Sequence, residues 1–126
     1  MDLKKNISNA IEFHKKGNFY EAKNTYEEIL KSNPDLPEIN HNLGILLKSM
    51  NKLDEAERRF AKAIFLKSDF VHAHYHMGNT KYKLKKFDES EYSYKKAISL
   101  NSKFIEAYIN LSRAQRELGR LNEAEE

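Results

Sequence analysis

The sequence predicts an all-α solenoid of tandem antiparallel helix pairs, on three observations: a 34-residue recurrence, helical apolar spacing inside each unit, and few turn residues. The recurrence runs through four columns in one register. Glu-Ala stands at Glu21-Ala22, Glu55-Ala56 and Glu123-Ala124, with Glu89-Ser90 in the place between. An aromatic comes four residues later at Tyr26, Phe60 and Tyr94. A small residue precedes at Ala10, Gly44, Gly78 and Ser112, and a large apolar one at Phe19, Leu53, Phe87 and Leu121. Self-similarity at this period marks a repeat architecture in which stacking buries what one unit cannot.

Within each unit the apolar residues have a helical period. Leu43, Leu46, Leu47 and Met50 fall at i, i+3, i+4 and i+7, one face of a helix, and Leu53, Ala56, Phe60, Ala63 and Ile64 form a second face after a turn. The spacing predicts helices over 3–16, 19–32, 37–50, 53–67, 71–84, 87–101 and 105–118, with another beginning near 121. Asn18 and Glu21 have capping-box spacing, and the recurring Glu meets the positive end of each second helix. Asn33-Pro34, Lys67-Ser68 and Asn101-Ser102 mark the connections between units. The small residues at 44 and 78 let the first helix approach the second. Phe60 and Tyr94 are expected to fill the space between one pair and the next.

Composition agrees and excludes several classes. The 126 residues suit one domain spanning 1–126, and 40% apolar with 33% charged residues, 4 Gly and 2 Pro favours long helices. Without Cys, disulfides and thiolate metal sites are excluded. The N-terminus lacks the apolar stretch of a signal peptide, and no run of about 18 apolar residues exists to span a membrane. A cytoplasmic protein is expected. The net charge of +3 arises from 22 Lys/Arg interleaved with 19 Asp/Glu, a solvated-face pattern. Nucleic acid is therefore not the expected partner, since binders segregate their basic residues.

These columns resemble the tetratricopeptide repeat, in units 3–36, 37–70, 71–104 and a truncated fourth, 105–126. The second unit carries Leu43-Gly44, Leu53, Glu55-Ala56, Phe60 and Ala63. The third carries Met77-Gly78, Phe87, Glu89, Tyr94 and Ala97. The first has Gly17, Phe19, Glu21-Ala22, Tyr26 and Pro34; the fourth has Leu111-Ser112, Gly119, Leu121 and Glu123-Ala124. Departures are Asn6 and Asn9 for bulky apolar residues, read as an end cap, and Lys81 and Gln115 for aromatics.

The resemblance implies a right-handed superhelix whose concave groove, lined by the first helix of each pair, holds a protein or peptide. The groove columns are then Ser8, Asn42, His76, Asn110; Ile11, Ile45, Asn79, Arg113; Ile7, His41, Tyr75, Ile109; and His14, Lys48, Tyr82, Arg116. Asn42, Ile45, Lys48, Tyr75, His76, Asn79, Tyr82, Asn110 and Arg113 are the candidate peptide-binding residues. Asn offers both donor and acceptor to an extended backbone, and Tyr adds flat apolar area with a polar tip. Lys48, Lys83, Arg113 and Arg116 favour an acidic segment or a C-terminal carboxylate. Relatives that clamp chaperone carboxylates use Lys, Asn and Arg; at the matching places Ile7, Ile11, Asn42, His72 and His76 stand here, and only Asn42 fits.

His72 and His76 share a face at i, i+4, with His41 on a neighbouring helix, but the Glu of a zinc-protease helix is missing. No metal or cofactor is expected. Ser, His and Asp sit on no glycine-bounded elbow, and no Gly-rich phosphate loop exists, so catalysis is not expected. The sequence stops at Glu126, a few residues into an eighth helix, which would leave Leu111, Ala114 and Leu118 without a partner. The expectation is a piece of a longer protein, with transferase domains of glycosyl or sulfo type as the family analogy for the region beyond Glu126. The other-class alternative is self-assembly through residues 105–126.

Overall fold

A computed structural model describes residues 2–125. Met1 and Glu126, on which the expectations about the chain's two ends rest, lie outside the described residues, as do the side chains of Ala124 and Glu125. Among the described residues there are seven α-helices and no strand. They are α1 (Leu3–Lys15), α2 (Phe19–Ser32), α3 (Pro37–Ser49), α4 (Leu53–Leu66), α5 (Val71–Lys83), α6 (Phe87–Leu100) and α7 (Ile105–Glu125). The fold is an all-α helical repeat, and the first six helices end within one residue of their expected limits. No helix among the described residues is long and apolar enough to cross a membrane. The chain divides into two compact units, one ending at Ser68 and one beginning at Asp69.

One device joins the helices of each pair. Gly17, Asn51 and Lys85, spaced 34 apart, have φ of 79°, 61° and 63°. The next residue's N–H reaches back across the turn: Asn18 to Phe13 O at 2.8 Å, Lys52 to Leu47 O at 2.8 Å, Lys86 to Lys81 O at 2.9 Å. Gly17, Asn51 and Lys85 themselves donate to His14, Lys48 and Tyr82 carbonyls. This pairing of bonds is the Schellman motif, which satisfies the last carbonyls of a helix through one left-handed residue. It also explains why the expected capping box is not made. The Asn18 N–H is already spent on Phe13, so Glu21 has no donor to reach back to, and the Asn18 side chain makes no cap bond.

The fourth member of this column, Gly119, behaves otherwise. It lies inside α7, which runs unbroken to Glu125, so the helix expected to begin near 121 is not a separate element. At 17, 51 and 85 the turn leads into a helix with a full apolar face to lay back on the first. At Gly119 φ is not positive and the helix continues.

In the first unit, α1 packs on α2, α2 on α3, and α3 on α4. Gly44 sets the α3–α4 approach. A methyl group there would stand 2.7 Å from Phe60 Cε1, and Phe60 is fully buried. Phe60 thus fills the inside of its own pair rather than only the space toward the next, a correction to the sequence reading. Burial of such a ring stabilises by about 1.5–3 kcal/mol. Asn40, also fully buried, ties the preceding loop down: Nδ2 donates to Pro34 O (3.1 Å) and Leu36 O (2.9 Å), and Oδ1 accepts from Arg59 Nη1 (3.2 Å).

The second unit repeats the packing with polar variations. A methyl group on Gly78 would meet Tyr94 Cε1 at 2.6 Å, so Tyr94 likewise belongs inside its own pair. Ser90, in the Ala column, is fully buried and donates its hydroxyl to Gly78 O at 2.8 Å. The two departures from the aromatic column find partners on α6: Lys81 Nζ reaches Glu89 Oε1 at 2.9 Å, and Gln115 Nε2 donates to Glu91 Oε2 at 3.1 Å. Tyr108 donates to Ser102 O, six residues back, as Asn40 does to Pro34 O. On α7, Ala114 is fully buried and Leu111 and Leu118 are half-buried, so these three are not the uncovered face. The exposed apolar residues of this helix are Ile105, Tyr108, Ile109 and Leu121.

Candidate functional site

The candidate residues fall on α3, α5 and α7, each the first helix of its 34-residue repeat. In the first unit Asn42, Ile45 and Lys48 lie half-buried along α3. Asn42 and Ile45 join Ile11, His14 and Lys15 of α1 and Tyr26 of α2 around a shallow cavity of about 480 Å³. Tyr26 is buried to its hydroxyl, which bonds to Asn42. Burial pushes its phenol above the ordinary range, and the Asn42 bond opposes this. Burial also lowers the pKa of His14, whose ring packs edge-on to Phe19 at 5.7 Å. The cavity wall is therefore mostly apolar, with the Asn42 amide set into it and the Lys15 ammonium at its edge.

In the second unit four of the candidates converge. Asn110 of α7 donates to Tyr75 Oη at 3.1 Å and to Asn79 Oδ1 at 3.0 Å, and its own oxygen accepts from Arg113 Nη1 at 3.4 Å. Tyr94 Oη also donates to Asn79 Oδ1, at 2.5 Å. Two inward donors fix the Asn79 amide with its oxygen inside and its NH2 outward, where no acceptor among the described residues takes it. Tyr75 lies on Phe104 at 4.7 Å and beside Tyr94 at 6.0 Å, so its ring is held while its hydroxyl keeps a proton to donate.

The remaining candidates stand apart from this network. His76 packs edge-on to Tyr75 at 5.2 Å, and Tyr82 leans on Phe87 over the α5–α6 turn at 5.2 Å. His72 sits edge-on to Phe104 at 5.4 Å, and His41 tilts on Phe60 at 5.8 Å. Arg113 is exposed, and so are Lys83 and Arg116. The face thus presents outward donors: an amide NH2, a phenol and a guanidinium. Such a set suits carbonyl and carboxylate acceptors.

Sequence reasoning misses Tyr26 and Tyr94 as site residues because their column reads as core. A signal exists. Asn comes sixteen residues after each of these tyrosines, at Asn42 and Asn110, whereas Phe60 has no Asn at that distance. For Tyr26 that Asn is the partner, whereas Tyr94 bonds Asn79, to which Asn110 also donates.

Family models described as tetratricopeptide repeat match residues 71–104, residues 25–58 and 93–126, and residues 10–36. Comparison with curated proteins gives no match in sequence. Among solved structures, the first TPR of Spaghetti (RPAP3) bound to the HSP90 peptide SRMEEVD superposes with a TM-score of 0.89. It is 21% identical, over 94% of this chain and 97% of that one. The Arabidopsis OM64 TPR domain gives 0.87 at 18% identity, over 90% and 94%. The structure of MamA gives 0.85 at 23%, over 87% of this chain and 64% of that one. At such identities these likenesses concern the fold alone. Together the recurring columns, the matched residues and the repeated helix pairs place this chain in the tetratricopeptide repeat family.

Proposed function

We propose that the chain is a protein-interaction module that holds an extended peptide on the first-helix faces, and that it binds rather than catalyses. The observation that carries this is the Asn79 amide. Its oxygen is occupied by Tyr94 and Asn110, so its NH2 is held outward as a fixed donor for a peptide carbonyl. In the first unit Asn42 lies beside the apolar cavity in hydrogen-bonding contact with the Tyr26 hydroxyl. Arg113, with Lys83 and Arg116 exposed, favours an acidic ligand. The peptide on the RPAP3 domain, SRMEEVD, is itself acidic, which is compatible with this reading.

The test uses peptides selected from a random library against the full chain, titrated into wild type and Asn79→Asp. The carboxylate can accept both inward bonds, removes the outward donor and adds a negative charge, so neutral peptides are included beside acidic ones to isolate the loss of the donor. Affinity should fall about tenfold, the value of one hydrogen bond to a fixed donor. Selection of no peptide, or equal affinity for both proteins, would refute the reading.

Self-association through α7 is a second reading, favoured by Ile105 at 67% exposure beside Tyr108 and Ile109. A concentration-dependent mass that Ile105→Glu/Ile109→Glu abolishes would support it. A mass that stays monomeric at high concentration would remove it.

A further inference from the structure

The first unit has a second concavity on the side of its second helices. It lies between α2 and α4, encloses about 360 Å³, and has Leu43 and Leu47 of α3 at its base. It adjoins a wider hollow of about 680 Å³ that shares Glu27 and Arg59 with it, making one trough. The lining on α4 runs from Glu55 to Lys62 and that on α2 from Lys23 to Lys31, so each wall is about two helical turns, roughly 12 Å, long.

The charges of the two walls are not equally spent. On α2, Glu27 already holds Lys23 at 2.9 Å, and that ammonium also feels Glu55 across the trough. On α4 the cations are largely uncompensated. Arg58 is exposed and has no acceptor among the described residues. Arg59 donates to the neutral amide of Asn40 and forms no salt bridge among the described residues, with Glu27, Glu28 and Glu55 lining the same trough. Lys62 meets Asp35 at 3.3 Å, but that carboxylate is 71% exposed, and such surface pairs exchange readily. Three cations at i, i+1 and i+4 thus line one wall above a leucine base, with aliphatic stems covering the edge.

We infer that this trough is a second docking surface, distinct from the first-helix faces, for an acidic protein segment that carries bulky aliphatic side chains. The carboxylates answer Arg58, Arg59 and Lys62, and an aliphatic side chain enters over Leu43 and Leu47. Nucleic acid is the poorer match. Glu27, Glu28 and Glu55 stand in the same trough and would repel a phosphate chain, charged at every residue, more than a peptide whose carboxylates alternate with neutral side chains.

The probes are fluorescent twelve-residue peptides titrated into the full chain: one alternating Glu and Leu, one with every Glu changed to Gln, and a twelve-nucleotide single-stranded DNA. The Glu/Leu peptide should bind at least tenfold more tightly than the Gln/Leu peptide and shift the methyl resonances of Leu43 and Leu47. Arg58→Glu/Lys62→Glu, checked for unchanged helicity, should lower that affinity at least tenfold. Asn79→Asp should leave it unchanged, which separates this surface from the first-helix site. Binding that survives the charge reversal, shifts confined to Asn42 and Asn79, absence of binding, or DNA binding that outcompetes the Glu/Leu peptide would each overturn the inference.

Discussion

The Tyr94 hydroxyl and the Asn79 amide oxygen are 2.5 Å apart, and this bond links the buried aromatic column to the candidate binding face. Tyr94→Phe removes the donor and nothing of the ring. Stability should fall by about 1 kcal/mol in urea titration, the net value of one intramolecular bond. Burial holds the Tyr94 phenol above its ordinary 10.0. A group whose folded pKa is raised leaves stability intact below the unfolded value and lowers it as pH rises toward the folded one, because the unfolded chain ionises first. Between pH 8 and about 11, above the ordinary tyrosine pKa, the loss of stability should therefore be smaller in Tyr94→Phe than in wild type.

Gly44 and Gly78 should resist even the smallest enlargement. The Phe60 and Tyr94 ring atoms that a methyl group would meet, at 2.7 and 2.6 Å, belong to buried rings with no room to withdraw. Overpacking costs about 1–3 kcal/mol, against a gain of about 1 kcal/mol in helix propensity from Ala. Gly44→Ala should therefore lower the melting temperature. Adding Phe60→Leu should make the effect of Gly44→Ala less harmful than it is in wild type, and strict additivity of the two changes would contradict the contact.

At Lys85 the expectation has the opposite sign. Its φ of 63° puts a Cβ-bearing side chain in the left-handed region, where Gly17 serves the same turn without cost. Lys85→Gly should stabilise by about 1 kcal/mol, and Asn51→Gly by less, because Asn tolerates this conformation. Thermal unfolding of the two variants checks the order.

Asn40→Ala should cost about 2 kcal/mol or more. It removes two donors from the loop carbonyls of Pro34 and Leu36 and the acceptor of Arg59 in a fully buried place. Hydrogen exchange of the α3 N-terminal amides should accelerate with it, and unchanged exchange would mean the loop is held otherwise.

The legible part of the sequence is the part that repeats. Gly44, Phe60 and Ala56 can be read because their columns recur, and recurrence reports packing that every pair needs. Asn40 and Tyr108 share a column and a task, yet their chemistry differs, so no residue-type pattern marks them. Asn79 and Asn110 are legible as polar residues on the right helix face. The direction of each amide is not, because it depends on Tyr94 and Tyr75, which approach from other helices. Gly119 misleads as well: its column position predicts a turn, and the chain continues as helix there.

The most direct measurement records the side-chain amide signals of Asn42, Asn79 and Asn110 by nitrogen-labelled NMR while a selected peptide is added to the full chain. The account predicts that the Asn79 NH2 signal moves most. Asn110, whose NH2 is already committed to Tyr75 and Asn79, should move least. Saturated peptide binding with all three signals unmoved would contradict the assignment of the first-helix faces as the binding site.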